Sequence, residues 1–93
     1  MLVSWAQQAR TERGAAIDYI SKDDPFAALN QLREIEQQTN LLPAQPEMGR
    51  IGRAKGTREL VISRTPFIVV YRIKEERIEI LRFLHGAQKW PKN

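Results

Sequence analysis

Apolar residues recur at helical spacing in the first half of the chain and in short dense runs in the second half. Between Ala6 and Ser21, Ala9, Ala16, Ile17 and Ile20 fall towards one side of a helix, while Gln8, Arg10, Glu12 and Asp18 fall on the other. Gly14 weakens such a helix by ~1 kcal/mol relative to alanine. Ahead of it, Leu2-Val3-Ser4-Trp5 has the composition of a brief strand. Ser4 followed by Gln7 has the form of a capping box, in which each side chain satisfies a backbone donor at the helix start. The second helix is the most clearly punctuated. Asp24 is a good N-cap, and Pro25 suits the first helical position, where a missing N–H costs nothing. Ala28, Leu32, Ile35 and Leu42 step along one face, with Gln31, Glu34, Gln37 and Gln38 away from it, and Pro43 and Pro46 stop the helix. The short link Lys22-Asp23 predicts that the two helices pack as a hairpin.

Residues 43–56 read as a mobile basic loop, with Gly49, Gly52 and Gly56 interleaved with Arg50, Arg53 and Lys55; the glycine spacing matches neither a P-loop nor a dinucleotide fingerprint. Three strands are then predicted, rich in β-branched and aromatic residues: Leu60–Ile62, Phe67–Ile73 and Ile78–His85. Residues 63–66 and 74–77 supply the turns of an antiparallel meander. Both faces of the last two strands are largely apolar. A helical hairpin covers one face only, so the other is expected to need a partner or to stay partly exposed. The expected fold is α+β, in the order β-α-α-β-β-β, with the hairpin of residues 6–42 packed through Ile17, Ile20, Leu32 and Ile35 on one face of a small, mostly antiparallel sheet. A chain of 93 residues has room for one such domain, spanning 1–93.

Composition narrows the chemistry. There are no cysteines and a single histidine, His85, which removes a disulfide framework, a thiolate zinc site, a cysteine nucleophile and an all-histidine metal centre. No cofactor or metal is expected. No apolar run approaches the ~18 residues of a membrane span, and the amino terminus leads straight into polar residues, so a cytoplasmic domain without membrane contact is expected. The net charge of +4 is unevenly spread. Residues 1–48 are acidic on balance, whereas residues 49–72 set Arg50, Arg53, Lys55, Arg58, Arg64 and Arg72 against Glu59 alone. Those six cations are the candidate residues for binding nucleic acid or another anionic target.

Several of these segments carry a resemblance. Trp5, Asp18-Tyr19-Ile20, Asp24–Ala28, and Leu42-Pro43 through Pro46–Arg50 are similar to stretches of the RelE/ParE toxin superfamily of bacterial type II toxin–antitoxin modules. So are Gly56–Ile62, Thr65–Ile73 and Ile80–Pro91, and together the similarity covers nearly the whole chain. The resemblance implies growth arrest, neutralised by a cognate antitoxin of the ParD or RelB kind whose flexible tail folds on binding.

The superfamily divides by target. RelE-like members cut messenger RNA on the ribosome; ParE-like members inhibit DNA gyrase. This chain departs from the nucleases at three places: Ile68 stands where an arginine is often found, Glu59-Leu60-Val61 occupies a strand that bears lysines, and Gly86–Pro91 contains no tyrosine. A metal-free ribonuclease must deprotonate a 2′-hydroxyl, stabilise phosphate charge and protonate a leaving oxygen. A gyrase inhibitor of the ParE type is therefore the expected function, with a ribosome-dependent mRNA endoribonuclease as the alternative. If the protein is a nuclease, His85, Arg82 and Arg58 are the candidate catalytic groups. Otherwise His85 caps its strand end and Arg82 supports the sheet. Trp5, Tyr71 and Trp90 are expected to be core residues rather than platforms for bases.

Overall fold

A computed structural model describes residues 1–91. The elements in chain order are β1 (Leu2–Trp5), α1 (Gln7–Asp23), α2 (Pro25–Thr39), β2 (Arg50–Ile51), β3 (Arg58–Val61), β4 (Phe67–Lys74) and β5 (Arg77–His85). They form one mixed sheet in the order β1-β5-β4-β3-β2. β1 runs parallel to β5, and every other neighbour pair is antiparallel. The expected β-α-α-β-β-β order holds, with one short strand, β2, added inside the segment read as loop.

The helix boundaries follow local chemistry. Asp24 alone joins the helices: its backbone N–H donates to the Ile20 carbonyl, closing α1, and its side chain accepts from the Ala27 N–H at 3.1 Å, opening α2. Lys22 and Asp23 therefore belong to α1 rather than to a link. The capping box at Ser4 and Gln7 does not form. Ser4 lies in β1, opposite Glu79, and the N-cap of α1 is Ala6, with no side-chain cap.

The core lies between the hairpin and one face of the sheet. Ala9, Ile35 and Leu42 meet Leu60, Ile62, Phe67, Val69, Tyr71, Ile78, Ile80 and Phe83, with Ile17 and Ile20 half-buried against them. Leu32 departs from the expectation, being half-buried and outside this cluster. The opposite face also differs. Ile68, Val70 and Leu84 alternate with the core residues of β4 and β5 and so lie away from the helices, yet all three are buried within the single chain. Glu59 lies opposite Val70 in the register, and the main chain at Arg53 donates to its carboxylate, bringing the 50–57 segment onto that face. No partner is needed to bury these side chains.

Two irregularities shape the β4–β5 hairpin. Its turn places Glu75 and Glu76 at φ 51° and 61°, the left-handed pair that a two-residue hairpin loop demands. The register then shifts: Val70 faces Arg82 but Tyr71 faces Ile80, so Leu81 is an extra residue. Bulges of this kind alter the local direction of side chains, and this one lies immediately before Arg82.

Candidate functional site

The cations singled out from the sequence are engaged at nearly every position. Glu59, with its side chain wholly buried, accepts from Arg50 Nη2 at 3.0 Å, from the Arg53 N–H at 2.9 Å and from Arg53 Nε at 3.2 Å. Burial pushes its pKa upward, but the Arg53 amide and the two guanidiniums outweigh that and hold it below the ordinary carboxylate value. The basic segment is thus tied to the sheet rather than mobile. Arg58 Nη1 donates to the Gly49 carbonyl at 2.8 Å. Arg64 grips Glu34 bidentately at 2.7 and 2.8 Å, and that pairing keeps the Glu34 pKa down at about 2. Arg72 meets Glu79 at 2.6 Å, and the same carboxylate takes Arg77 at 3.2 Å. Of the six, Lys55 makes no side-chain hydrogen bond or ion pair among the described residues.

The candidate nuclease groups do not come together. Arg82 donates to Glu12 of α1 at 2.6 Å, with its guanidinium 4.7 Å from the centre of the Trp90 ring. Glu12 also accepts the Phe83 N–H at 2.9 Å, so one carboxylate serves both Arg82 and the backbone of the strand that carries it. His85 Nδ1 accepts the Ala87 N–H at 3.1 Å, a strand-end cap, and its ring stands edge-on to Phe67. Arg58 lies opposite Tyr71 on β4, whereas His85 lies opposite Phe67. Four residues of strand separate those positions, ~13 Å at the usual rise. Among the described residues, no group of three His, Asp or Glu side chains is placed to hold a metal ion.

The aromatic residues have structural places. Tyr71 is fully buried; its hydroxyl donates to the Pro46 carbonyl at 2.7 Å and accepts from the Gly49 N–H at 2.9 Å. Burial raises its pKa. Trp5 packs half-buried against the core under Arg13.

One concave feature was not anticipated from the sequence. A cavity of about 500 Å³ opens between the hairpin and the far end of β4 and β5. Ala15, Ala16, Tyr19 and Ile20 of α1 form one wall, Phe67 and Phe83 the floor, and Glu12, Gln31, His85 and Gln88 the polar margin. Gln31 Oε1 is buried with no hydrogen-bond partner among the described residues. From the sequence, Gln31 counts only as a polar-face residue of α2. The missed signal is that Ala15 and Tyr19 widen the stripe of Ala16 and Ile20 on α1, with Glu12 one turn ahead of them. Glu59 was legible as the lone acid among cations, though its role as an anchor was not.

With this geometry in hand, comparison with known proteins defines the class. Residues 3–90 match the ParE toxin of the type II toxin–antitoxin system parDE, and the chain belongs to this toxin family. Y4kP of Sinorhizobium fredii, a protein named as a toxin, is 39% identical over 89 residues, which is 96% of this chain and 92% of that one. A solved structure described as the chromosomal ParDE toxin–antitoxin system from P. aeruginosa superposes with a TM-score of 0.83 at 28% identity, covering 91% of this chain and 95% of that one. A toxin of such a system has a cognate antitoxin as its partner. No helix among the described residues is long and apolar enough to cross a membrane.

Proposed function

We propose that this toxin arrests growth in the cytoplasm by binding DNA gyrase, without cutting RNA. One observation supports this reading above others: the groups a metal-free ribonuclease would need are spread over both ends of the sheet and already engaged. Arg82 is held by Glu12, Arg58 by backbone carbonyls, and His85 by the turn that follows it. Phosphoryl transfer requires its acid, base and charge-stabilising groups to converge on one phosphate. A binding inhibitor needs only a shaped, charged surface. Arg50, Arg53 and Arg72 remain roughly half-exposed beyond their carboxylate partners, and Lys55, two residues after Arg53, is exposed. With Arg58 and Arg64 they form the proposed target-binding set.

The test is supercoiling by purified gyrase with and without the protein, run beside cleavage of a ribosome-programmed mRNA. Supercoiling should fall with increasing toxin while the mRNA stays intact, and His85→Ala should leave growth arrest unchanged. Transcript cleavage that disappears in His85→Ala would sink the proposal and restore the endoribonuclease alternative.

A further inference from the structure

The fold gathers the charge of the chain onto one face of the sheet. Val70 lies on the face away from the helical hairpin; the register puts Glu59 beside it, and Arg50 beside Glu59. Two residues along β4, Arg72 lies on the same face opposite Glu79, and beyond it Lys74 lies opposite Arg77. The 50–57 segment, tied down by Glu59, adds Arg53 and Lys55. Six cations thus meet two carboxylates, a net +4, and the other nine cations and nine acids of the chain cancel. Arg58 falls outside the patch because it lies opposite Tyr71, on the hairpin side, and Arg64 because Glu34 of α2 holds it. The turn residues Glu75 and Glu76 bound the patch at one end.

The arginines of this face are oriented. Arg50 Nη2 and Arg53 Nε donate to Glu59, and Arg72 Nε and Arg77 Nη2 donate to Glu79. A guanidinium has five N–H donors, so each keeps several for a ligand, and all four side chains are roughly half-exposed. Such forks match the oxygens of a phosphate. Two features then choose among anionic partners. Tyr19 and Phe26, the exposed aromatic residues, both lie on the helices, so this face offers no platform for unpaired bases and no aromatic anchor for a protein. An acidic peptide would gain little from half-exposed ion pairs. A duplex, by contrast, releases a condensed counterion for each phosphate that a cation reaches. The dimensions agree: β2 to β5 is three strand spacings, ~14 Å, over which one strand of a duplex carries about four phosphates.

We propose that this helix-free face binds the phosphate backbone of duplex DNA. The setting, a duplex on which gyrase acts, rests on the reading given above; the contact with DNA itself does not.

The experiment is fluorescence anisotropy of a labelled DNA duplex titrated with the folded protein over a range of salt. Affinity should fall about 100-fold between roughly 50 and 200 mM salt, the loss expected for about four phosphate contacts, and should not differ between two unrelated sequences of one length. Lys55 and Lys74 make no ion pair among the described residues, so Lys55→Gln with Lys74→Gln removes two contacts and spares the fold. That variant should show a fall of only about tenfold. Lys22→Gln with Arg33→Gln, at two exposed cations of the hairpin, should behave as the unsubstituted protein. An unchanged salt dependence on losing Lys55 and Lys74 overturns this face as the site. Polyglutamate bound as tightly as the duplex would overturn DNA in favour of an acidic protein segment, and tighter binding of an RNA duplex would overturn it in favour of RNA. No binding even at low salt refutes the proposal, and inhibition of gyrase would then still stand on its own. Duplex binding beside undiminished supercoiling would instead refute the gyrase reading and leave the DNA contact in place.

Discussion

The buried carboxylate of Glu59 ties the basic segment to the sheet, and its contribution can be worked out from its partners. Glu59→Gln keeps the shape and one acceptor for the Arg53 N–H, but replaces two ionic hydrogen bonds, at 3.0 and 3.2 Å, by neutral ones at best. Hydrogen bonds to charged groups are worth ~1.5–3 kcal/mol each, and part of that loss is offset because no charge is then buried. The guanidiniums, 57% and 43% exposed, return to water at little cost. A net loss of about 2 kcal/mol follows, equivalent to a fall in Tm of roughly 8–16 °C for a domain of this size. Arg50→Ala alone should cost less, under ~1 kcal/mol, since Arg53 still neutralises the carboxylate. Arg50→Ala with Arg53→Ala strands a buried charge and should cost ~3–5 kcal/mol. Adding Glu59→Gln to that double variant should then restore stability, because the unpaired charge is gone. Urea unfolding followed by far-UV circular dichroism measures all four. Additive losses, with the triple variant least stable, would refute the claim that a buried charge needs these arginines.

Ile35→Ala, at a fully buried site, should cost ~2–5 kcal/mol, and Leu32→Ala, half-buried outside the core cluster, less than ~1.5 kcal/mol; equal losses in thermal unfolding would place the hairpin differently. Tyr71→Phe should cost ~1–3 kcal/mol by leaving the Gly49 N–H and the Pro46 carbonyl without their shared hydroxyl, and a neutral substitution would show that the hydroxyl is dispensable. Glu34, Glu59 and Glu79 all have folded pKa values below the ordinary 4.5, so their stabilisation is complete above that pH and is lost as pH falls through the folded values, to about 2 for Glu34. The urea midpoint should therefore drop below about pH 4.5, with a shallower slope in Glu34→Gln; a midpoint flat to about pH 2.5 would contradict those ion pairs.

How much of this was legible depended on how local the cause was. Asp24-Pro25 starts α2 because the cap and its recipient lie three residues apart, and β4 and β5 declare themselves by continuous apolar runs. Ser4 misled because its side chain competes for two roles, and pairing of β1 with β5, more than seventy residues away, decided between them. The 50–57 segment looked mobile because glycines and cations dominate it. What fixes it is one carboxylate whose burial depends on strand register, which composition does not reveal. The same limit applies to the site. The sequence shows six cations, but which carboxylate holds each one is a property of the folded surface. Gln31, a polar-face residue in the sequence, came to line a cavity only through the packing of the hairpin on the sheet.

The contact between Gly49 and Tyr71 bears on how this sequence can drift. A β-carbon added at Gly49 would lie 2.7 Å from Tyr71 Cε1, 2.8 Å from its hydroxyl and 2.9 Å from the Glu59 carbonyl oxygen. Changing position 49 first produces a clash with both a ring and a strand backbone. Changing position 71 first removes the hydroxyl that the buried Gly49 N–H uses, and even a smaller residue there leaves the carbonyl in place. Either order passes through a less stable intermediate, so the two positions form a barrier that single substitutions do not cross. Lineages descending from this chain should keep the pair intact or replace it together, along with a shift of β3, while exposed positions outside the proposed binding set, such as Glu36, wander freely.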